Sequence, residues 1–341
     1  MRWNFAVLLP FITLAGAVTA APLEIEAING AQLHLPLPPK ERINPILIKA
    51  QVLLDRAHFS PGEIDGKGGD NFKKALVAFA AAQGLNSNGV LTAELWQKLT
   101  SSGSEPVLIK YTISEEDVGG PFVKNIPTGL EKMKDLPVLA YTSPREKIAE
   151  KFHMSQELLS VLNPRLKFET ANESIVVANV LLKDVPERAT RVEVDKSAQL
   201  LKVFGRERQL LGVYPVTVGS TEKPAPSGEL KVTGVRKSPT YRYNPKYGFK
   251  GVRATKPFTI KPGPNNPVGL VWIGLSGEGY GIHGTPDPSK VSKTASHGCI
   301  RLTNWDALRV ASAVGKGTPV YFSGDEETAR RPEASGRRTH R

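Results

Sequence analysis

The sequence predicts a mainly β chain in several parts: a β-sandwich-type domain over residues 190–323, preceded by a small three-helix unit and a βααβ module. Three observations carry that reading. From Arg191 onward, short alternating runs such as Leu200-Leu201-Lys202-Val203-Phe204 and Leu210 to Val218 are separated by turn residues, the pattern of successive hairpins. Residues 44–100 instead space their apolar side chains for helices. At 341 residues the chain also exceeds one ordinary domain, so two or three are expected.

Charge alone does not choose a partner. A net charge of +12 attracts nucleic acid, anionic lipid and acidic wall polymers alike. The first residues are more selective. Arg2 precedes the apolar run Phe5 to Val18, and small residues follow from Ala17 to Ala21. This is the pattern of a secretory signal peptide over residues 1–20, cut after Ala20. The run is shorter than the ~20 residues a membrane span needs, and no cysteine lies near the cut to take a lipid. The mature chain is expected in the periplasm or cell wall, with no transmembrane segment and no nucleic-acid partner.

Residues 21–43 are proline-rich and are expected to form an extended lead-in. A first helix follows, with Ile46, Ala50, Leu53, Leu54 and Ala57 on one face. Ser60-Pro61-Gly62 breaks it, and Ile64 to Gly69 is a glycine-dense loop. Asp70 is the expected N-cap of a second helix that buries Phe72, Leu76 and Phe79, with Gly84 past its end. A third helix carries Leu91, Leu95, Trp96 and Leu99. Residues 101–135 read as a linker and irregular segment containing one strand, Leu108 to Ile113. The βααβ module is expected over 136–185: a strand at Leu136 to Tyr141, a helix opened by Ser143-Pro144-Arg145-Glu146, a second from Ser155 to Asn163, and a strand from Ile175. The segment Pro239 to Pro267 is too long for an inert connection and is expected to shape a site. A helix from Trp305 to Val314 and a strand from Thr318 to Phe322 complete the domain. Residues 324–341, with five arginines and no apolar run, read as a disordered basic tail.

The chemistry concentrates between Gly279 and Leu308. Cys299 is the only cysteine in the sequence, with His297 two residues before it and His283 upstream. An exported protein usually holds its cysteines in pairs, so an odd one marks either a reactive thiol or a small buried residue. A thiol of ordinary acidity needs a base to become a good nucleophile. His283, at the end of the run Tyr280-Gly281-Ile282, can serve if the loop Pro286 to Ala295 brings the chain back beside it. A third group must fix the imidazole tautomer, and either Asp287 or a backbone carbonyl such as that of Gly284 suits. The backbone N–H groups of Gly298 and Cys299 suit an oxyanion hole. A zinc site of His283, His297, Cys299 and Asp287 is disfavoured, because H-x-C is not a usual zinc pairing. No metal and no cofactor are expected.

The wording I-H-G-T at Ile282 to Thr285 and S-H-G-C-I-R-L at Ser296 to Leu302 resembles the L,D-transpeptidase catalytic domain, as do VEVDKSAQLLKVF and PAPSGEL upstream. The resemblance implies Cys299 as nucleophile, His283 as general base and the Gly284 carbonyl as its orienting group. It places His297 and Gly298 at the oxyanion site and Arg301 on a substrate carboxylate, with Tyr280 and Ser296 as further substrate contacts. It implies a thioester with a tetrapeptide stem of peptidoglycan, release of D-alanine and transfer to an amine to give 3–3 cross-links. Lipoprotein attachment and hydrolysis use the same residues and stay open. Residues 44–100 resemble a peptidoglycan-binding domain, through S-P-G-E-I-D-G and the terminal W-Q-K-L. YTSPREKIAEKFHMSQELLSVLNP resembles a lysin motif. The expected partners are therefore stem peptides and glycan strands. A non-catalytic wall-binding protein is the rival reading, and the cysteine–histidine set speaks against it.

Overall fold

A computed structural model of the chain describes residues 23–37, 39–101, 103–180, 185, 187–219, 224–247, 252–294 and 298–324. The expected signal peptide and the tail beyond Gly324 lie outside the described residues.

The N-terminal unit holds α1 (Ile25–Asn29), α2 (Pro45–Arg56), α3 (Asp70–Ala82) and α4 (Ala93–Thr100). The last three are the predicted helices. Asn44 caps α2 by accepting from the Ile46 N–H, and Pro45 fills the first helical position, where its missing N–H costs nothing. The cap of α3 is Gly69 rather than Asp70, which sits one residue inside where its charge suits the positive helix end. Gly84, at φ +72°, ends α3 as expected. The lead-in is not simply extended. It contains α1, too short to show a helical period, and buries Ile28. Its Asn29 side chain exchanges two hydrogen bonds with the backbone of Leu108, and Lys49 donates to the carbonyls of Asn29 and Ala31.

In the middle module β1 (Leu108–Thr112) pairs antiparallel with β2 (Ser174–Ala178). Between them lie two one-turn helices, α5 (Glu115–Val118) and α6 (Leu130–Met133), then α7 (Pro144–Lys151) and α8 (Gln156–Leu162). The strand expected at Leu136 to Tyr141 is absent. Pro137 interrupts that run, and its backbone bonds go to a loop of the third domain instead: Leu139 N–H to Pro262, and Asn265 N–H to Leu139. The module's first strand is β1, so the βααβ unit reaches back into the expected linker.

The third domain begins with β3 (Arg191–Asp195), β4 (Leu200–Phe204) and β5 (Leu210–Pro215), the predicted hairpins. There follow β6 (Gly228–Lys237), β7 (Tyr241–Tyr243), β8 (Phe258–Ile260), β9 (Val271–Leu275), β10 (Gly281–His283), β11 (Ile300–Arg301), α9 (Asn304–Ala313) and β12 (Pro319–Ser323). Eight strands form one sheet in the order β11-β10-β9-β6-β12-β3-β4-β5, while β7 and β8 pair separately. The predicted sandwich is thus a single sheet curled until its ends meet. Thr217, just beyond β5, exchanges two 2.9 Å backbone hydrogen bonds with Arg301 of β11. Inward residues such as Val192, Val203, Ile273, Ile282, Ile300 and Val320 make a core that α9 covers.

The three units are welded together. Phe59 pairs in parallel with Val213, covering the exposed edge of β5, and Ile64 bridges to Met154 of the middle module. At the junction Arg309 of α9 grips Asp55 of α2 with both ends of its guanidinium, at 2.8 and 3.1 Å. His153, between α7 and α8, lies 3.1 Å from the same carboxylate and stacks on Trp305 at 5.1 Å. Ser60 donates to Asp306 at 2.7 Å. All four ionisable side chains of this cluster, Asp55, His153, Asp306 and Arg309, are essentially sealed from solvent. Burial raises the Asp55 pKa, but Arg309 and His153 outweigh it and hold the carboxyl well below its usual range. Burial keeps His153 neutral, so its contact with Asp55 is a hydrogen bond and Arg309 supplies the charge.

Removing one partner of such a pair strands the other charge, which costs about 3–5 kcal/mol. Arg309→Ala is expected to lower the urea midpoint accordingly, whereas Lys40→Ala, at an exposed pair, should move stability by no more than ~0.5 kcal/mol. Equilibrium unfolding of the two variants checks this.

Candidate active site

Strand register builds the site. β10 runs parallel to β11 with Ile282 beside Ile300 and His283 beside Arg301, and antiparallel to β9 with His283 opposite Trp272. Alternation sends Ile282 and Ile300 into the core, both fully buried, and turns His283, Arg301 and Trp272 to the other face. Cys299 immediately precedes β11, close enough to Tyr241 and Arg301 for its charge to act on both. Trp272 stacks on the His283 imidazole, centroids 5.5 Å apart and planes 18° from parallel. No larger residue fits at Gly281, where a Cβ would lie 2.4 Å from the Trp272 ring.

Cys299 is half-buried, with Sγ 3.6 Å from the Gly279 carbonyl oxygen. Gly298 before it takes φ +91°, a left-handed conformation that glycine accepts without strain. His283 is buried, and its Nδ1 lies 2.6 Å from the Gly284 carbonyl oxygen. A carbonyl only accepts, so Nδ1 carries the proton and Nε2 keeps its lone pair. Of the two orienting groups left open by the sequence, the structure pairs the imidazole with Gly284. Asp287 faces outward and pairs with Lys290 at 3.3 Å. Burial, reinforced by the Arg301 charge, pulls the His283 pKa down to about 3, so the ring is neutral in the resting chain.

Arg301 is half-buried, and its Nε, sealed from solvent, has no hydrogen-bond partner among the described residues. Burial lowers its pKa, and Cys299, Tyr241 and Asp287 oppose that effect from nearby. Tyr241, on the hairpin β7–β8 within the long segment expected to shape a site, was not singled out in the sequence. Burial pushes its hydroxyl pKa upward, with the nearby Cys299 adding to the effect. Tyr280 is partly buried, with its hydroxyl 3.4 Å from the Pro224 carbonyl oxygen. Ser296 and His297 lie outside the described residues.

Two further features were not legible locally. The loop from His283 back to Cys299 is tied down from outside its domain, where Asn71 of α3 donates to Val291 O and Lys74 to Ser292 Oγ, and from within it, where the Ser292 N–H donates to Thr217 Oγ1. Asn304, the first residue of α9, bonds away from its own helix. Thr303 caps α9, while Asn304 Oδ1 accepts from the Leu270 N–H and Nδ2 donates to Glu150 and to Pro264 O. Glu150 belongs to α7 of the middle module and is buried. Burial pushes its pKa up to about 8, with Glu146 and Glu63 adding to the rise against hydrogen bonds from Asn304 and Tyr141.

A sequence model described as the L,D-transpeptidase catalytic domain (YkuD) matches residues 189–322, and one described as a peptidoglycan binding domain matches 44–99. YkuD of Bacillus licheniformis, which carries the name of an L,D-transpeptidase, is 32% identical over 181 residues, spanning 52% of this chain and 92% of its own. The chain belongs to the L,D-transpeptidase family. Within that family, YqjB of Bacillus subtilis is 33% identical over 142 residues, covering 40% of this chain and 73% of its own. YbiS of Escherichia coli is 28% identical over 203 residues, covering 58% and 65%. A solved L,D-transpeptidase 3 from Mycobacterium tuberculosis aligns at TM-score 0.34 and 18% identity, over 45% of this chain and 75% of that one, a likeness too weak to argue from. Among the described residues no helix is long and apolar enough to cross a membrane.

Two pH effects follow from the transpeptidase site and its surroundings. His283 should stay neutral and protonated at Nδ1 throughout pH 5–8, as read by nitrogen-15 NMR, and an inflection near 6.5 would contradict the burial argument. Stability has its own window. Burial raises Glu63 and Asp306 to about 7 and Glu150 to about 8, so the native chain holds protons that the unfolded chain has released. The buried histidines act the opposite way, but only below 6.5, where an unfolded histidine takes up a proton. Between pH 6.5 and 8 the carboxyls act alone, so the urea midpoint should fall as pH rises.

Proposed function

We propose that this chain is a cysteine-dependent peptidoglycan L,D-transpeptidase in which Cys299 is the nucleophile and His283 the general base. The observation that supports the reading is the hydrogen bond from His283 Nδ1 to the Gly284 carbonyl, which leaves Nε2 free to take a proton, with Cys299 one residue before β11, the strand paired with β10. His283 takes the thiol proton as sulfur adds to the carbonyl of the third stem residue. The N–H groups of Gly298 and Cys299 receive the developing oxyanion. His283 then returns the proton to the leaving amine, the C–N bond breaks, and D-alanine departs from a thioester on Cys299. An acceptor amine attacks that thioester, loses its proton to His283 and forms the new amide, restoring the thiol.

In this reading Arg301 holds a carboxylate of the donor stem. A half-buried guanidinium with a buried, unpaired Nε near the nucleophile suits a bidentate anion. Ser296, His297 and Tyr280 complete the substrate surround. Residues 44–99 hold the enzyme on peptidoglycan at the cell wall, and export is supported by the basic, apolar and small-residue succession of residues 1–20. A wall-anchored lipoprotein is an alternative acceptor that uses the same thioester.

Incubation with a disaccharide tetrapeptide should add one acyl group to Cys299, seen by intact-protein mass spectrometry, with release of one D-alanine. Cys299→Ala should abolish both while wall binding survives. An unmodified Cys299 after exposure to donor stems and to a carbapenem would refute the assignment.

A further inference from the structure

The middle module reaches the catalytic histidine through two side chains. Glu150 Oε2 accepts from Asn304 Nδ2 at 3.0 Å, and Asn304 is the first residue of α9. The same amide donates to Pro264 O at 3.2 Å, and its oxygen accepts from the Leu270 N–H at 3.1 Å. These three bonds use the amide's donors and its acceptor in one orientation, so the side chain is locked.

That oxygen sits against Gly284. A Cβ placed on Gly284 would lie 2.3 Å from Asn304 Oδ1, and one on Gly269 would lie 2.1 Å from the same oxygen and 2.7 Å from the Gly284 carbonyl carbon. Asn304 therefore presses directly on the peptide whose carbonyl accepts the His283 Nδ1 proton. A lateral shift of that peptide would loosen the bond that selects the tautomer with Nε2 free to accept.

Glu150 is itself held from the far side. Tyr141 is hydrogen-bonded to it, and Asn265, next to the Pro264 carbonyl that Asn304 also uses, bonds to Glu146 one turn earlier on α7 and to the Ala140 carbonyl. The support is thus a closed polar ring between α7 and the loop before β9, with Asn304 as the member that touches the site.

We infer that Glu150 is a positioning residue for the acyl transfer: by fixing the Asn304 amide it holds the Gly284 carbonyl, and through it the His283 tautomer. This makes the middle module part of the catalytic unit. The inference rests on the cysteine-dependent reading above. Neither Glu150 nor Asn304 touches the reacting atoms.

The test is acylation of the full-length protein by a carbapenem, followed by mass spectrometry and stopped-flow absorbance to separate the maximal rate from the initial binding constant. Glu150→Leu keeps the volume and removes the acceptor. Its maximal rate should fall about tenfold or more, as expected for a displaced catalytic group, with the binding constant unchanged. Glu150→Gln, whose amide oxygen can still accept from Asn304, should restore the rate to within about threefold of wild type. Should Glu150→Leu fail to fold, Asn304→Asp removes the donor to Glu150 while keeping the acceptor for Leu270, and the same drop is expected.

A wild-type rate in Glu150→Leu overturns the inference, as does a change confined to binding. Equal losses in the Leu and Gln variants with parallel drops in melting temperature would mean a merely structural role, and also overturn it. If wild type itself is never acylated, the transpeptidase reading fails separately. The positioning claim is then judged by nitrogen-15 NMR of His283, where Glu150→Leu must lose the pure Nδ1–H tautomer for it to stand.

Discussion

Arg309 and Asp55 bring opposite charges out of water from modules that meet only in the folded chain, and the arrangement of everything else depends on that pairing. A buried guanidinium is tolerable only where its charge is answered at once, and here the bidentate grip does so. The geometry is demanding. It fixes α9 against α2, and His153 and Trp305 then stack where the middle module fits between them. Apolar contact alone would hold the modules together with less orientational preference, because hydrophobic burial is non-directional. The ion pair specifies one orientation of α9.

That orientation reaches the site by two routes. One runs along α9 to its first residue, Asn304, and so to the peptide beside His283. The other runs through α3, whose Asn71 and Lys74 hold the loop that returns the chain toward Cys299. The loop S-P-G-E-I-D-G, which carried the resemblance to a wall-binding domain, is itself engaged inside the molecule. Ser60 binds Asp306 and the backbone of Val213, and Ile64 exchanges backbone bonds with His153 and Ser155. Here the N-terminal unit is a structural partner of the catalytic domain and not a tethered appendage.

Much of this was legible in the chain because local chemistry dictates it. Helix periods gave α2 and α4, and the openings at Ser143 and Ser155 gave α7 and α8. Alternating runs gave β3 to β5, and the lone cysteine with its glycine and histidine neighbours located the candidate site. What escaped depends on partners far away in sequence. Leu136 to Tyr141 has the composition of a strand, yet its hydrogen bonds are claimed by Pro262 to Asn265, more than a hundred residues on. Glu150 looks like an exposed helical acid between Ala149 and Lys151, and nothing nearby reveals that an asparagine 154 positions later buries it. Tyr241 lacked any motif, because its place beside Cys299 and Arg301 comes from a hairpin folding back. The closure of the sheet at Thr217 and Arg301 was equally hidden, since each residue alone reads as ordinary strand.

The electrostatics of the site carry a last consequence. After burial, the largest influence holding His283 neutral is the positive charge of Arg301, its neighbour across the β10–β11 register. A carboxylate docked on that guanidinium would cancel much of its field at the imidazole, because an opposite charge at contact outweighs longer-range terms in a low-dielectric surround. The base would then be weakest in the empty site, where an imidazolium would be useless, and stronger once an anionic stem is in place. In the proposed reaction, one arginine would thereby link recognition to basicity. Lysine in its place would keep the charge but lose the planar fork that lets the guanidinium meet a carboxylate face-on while its stem stays buried in the sheet.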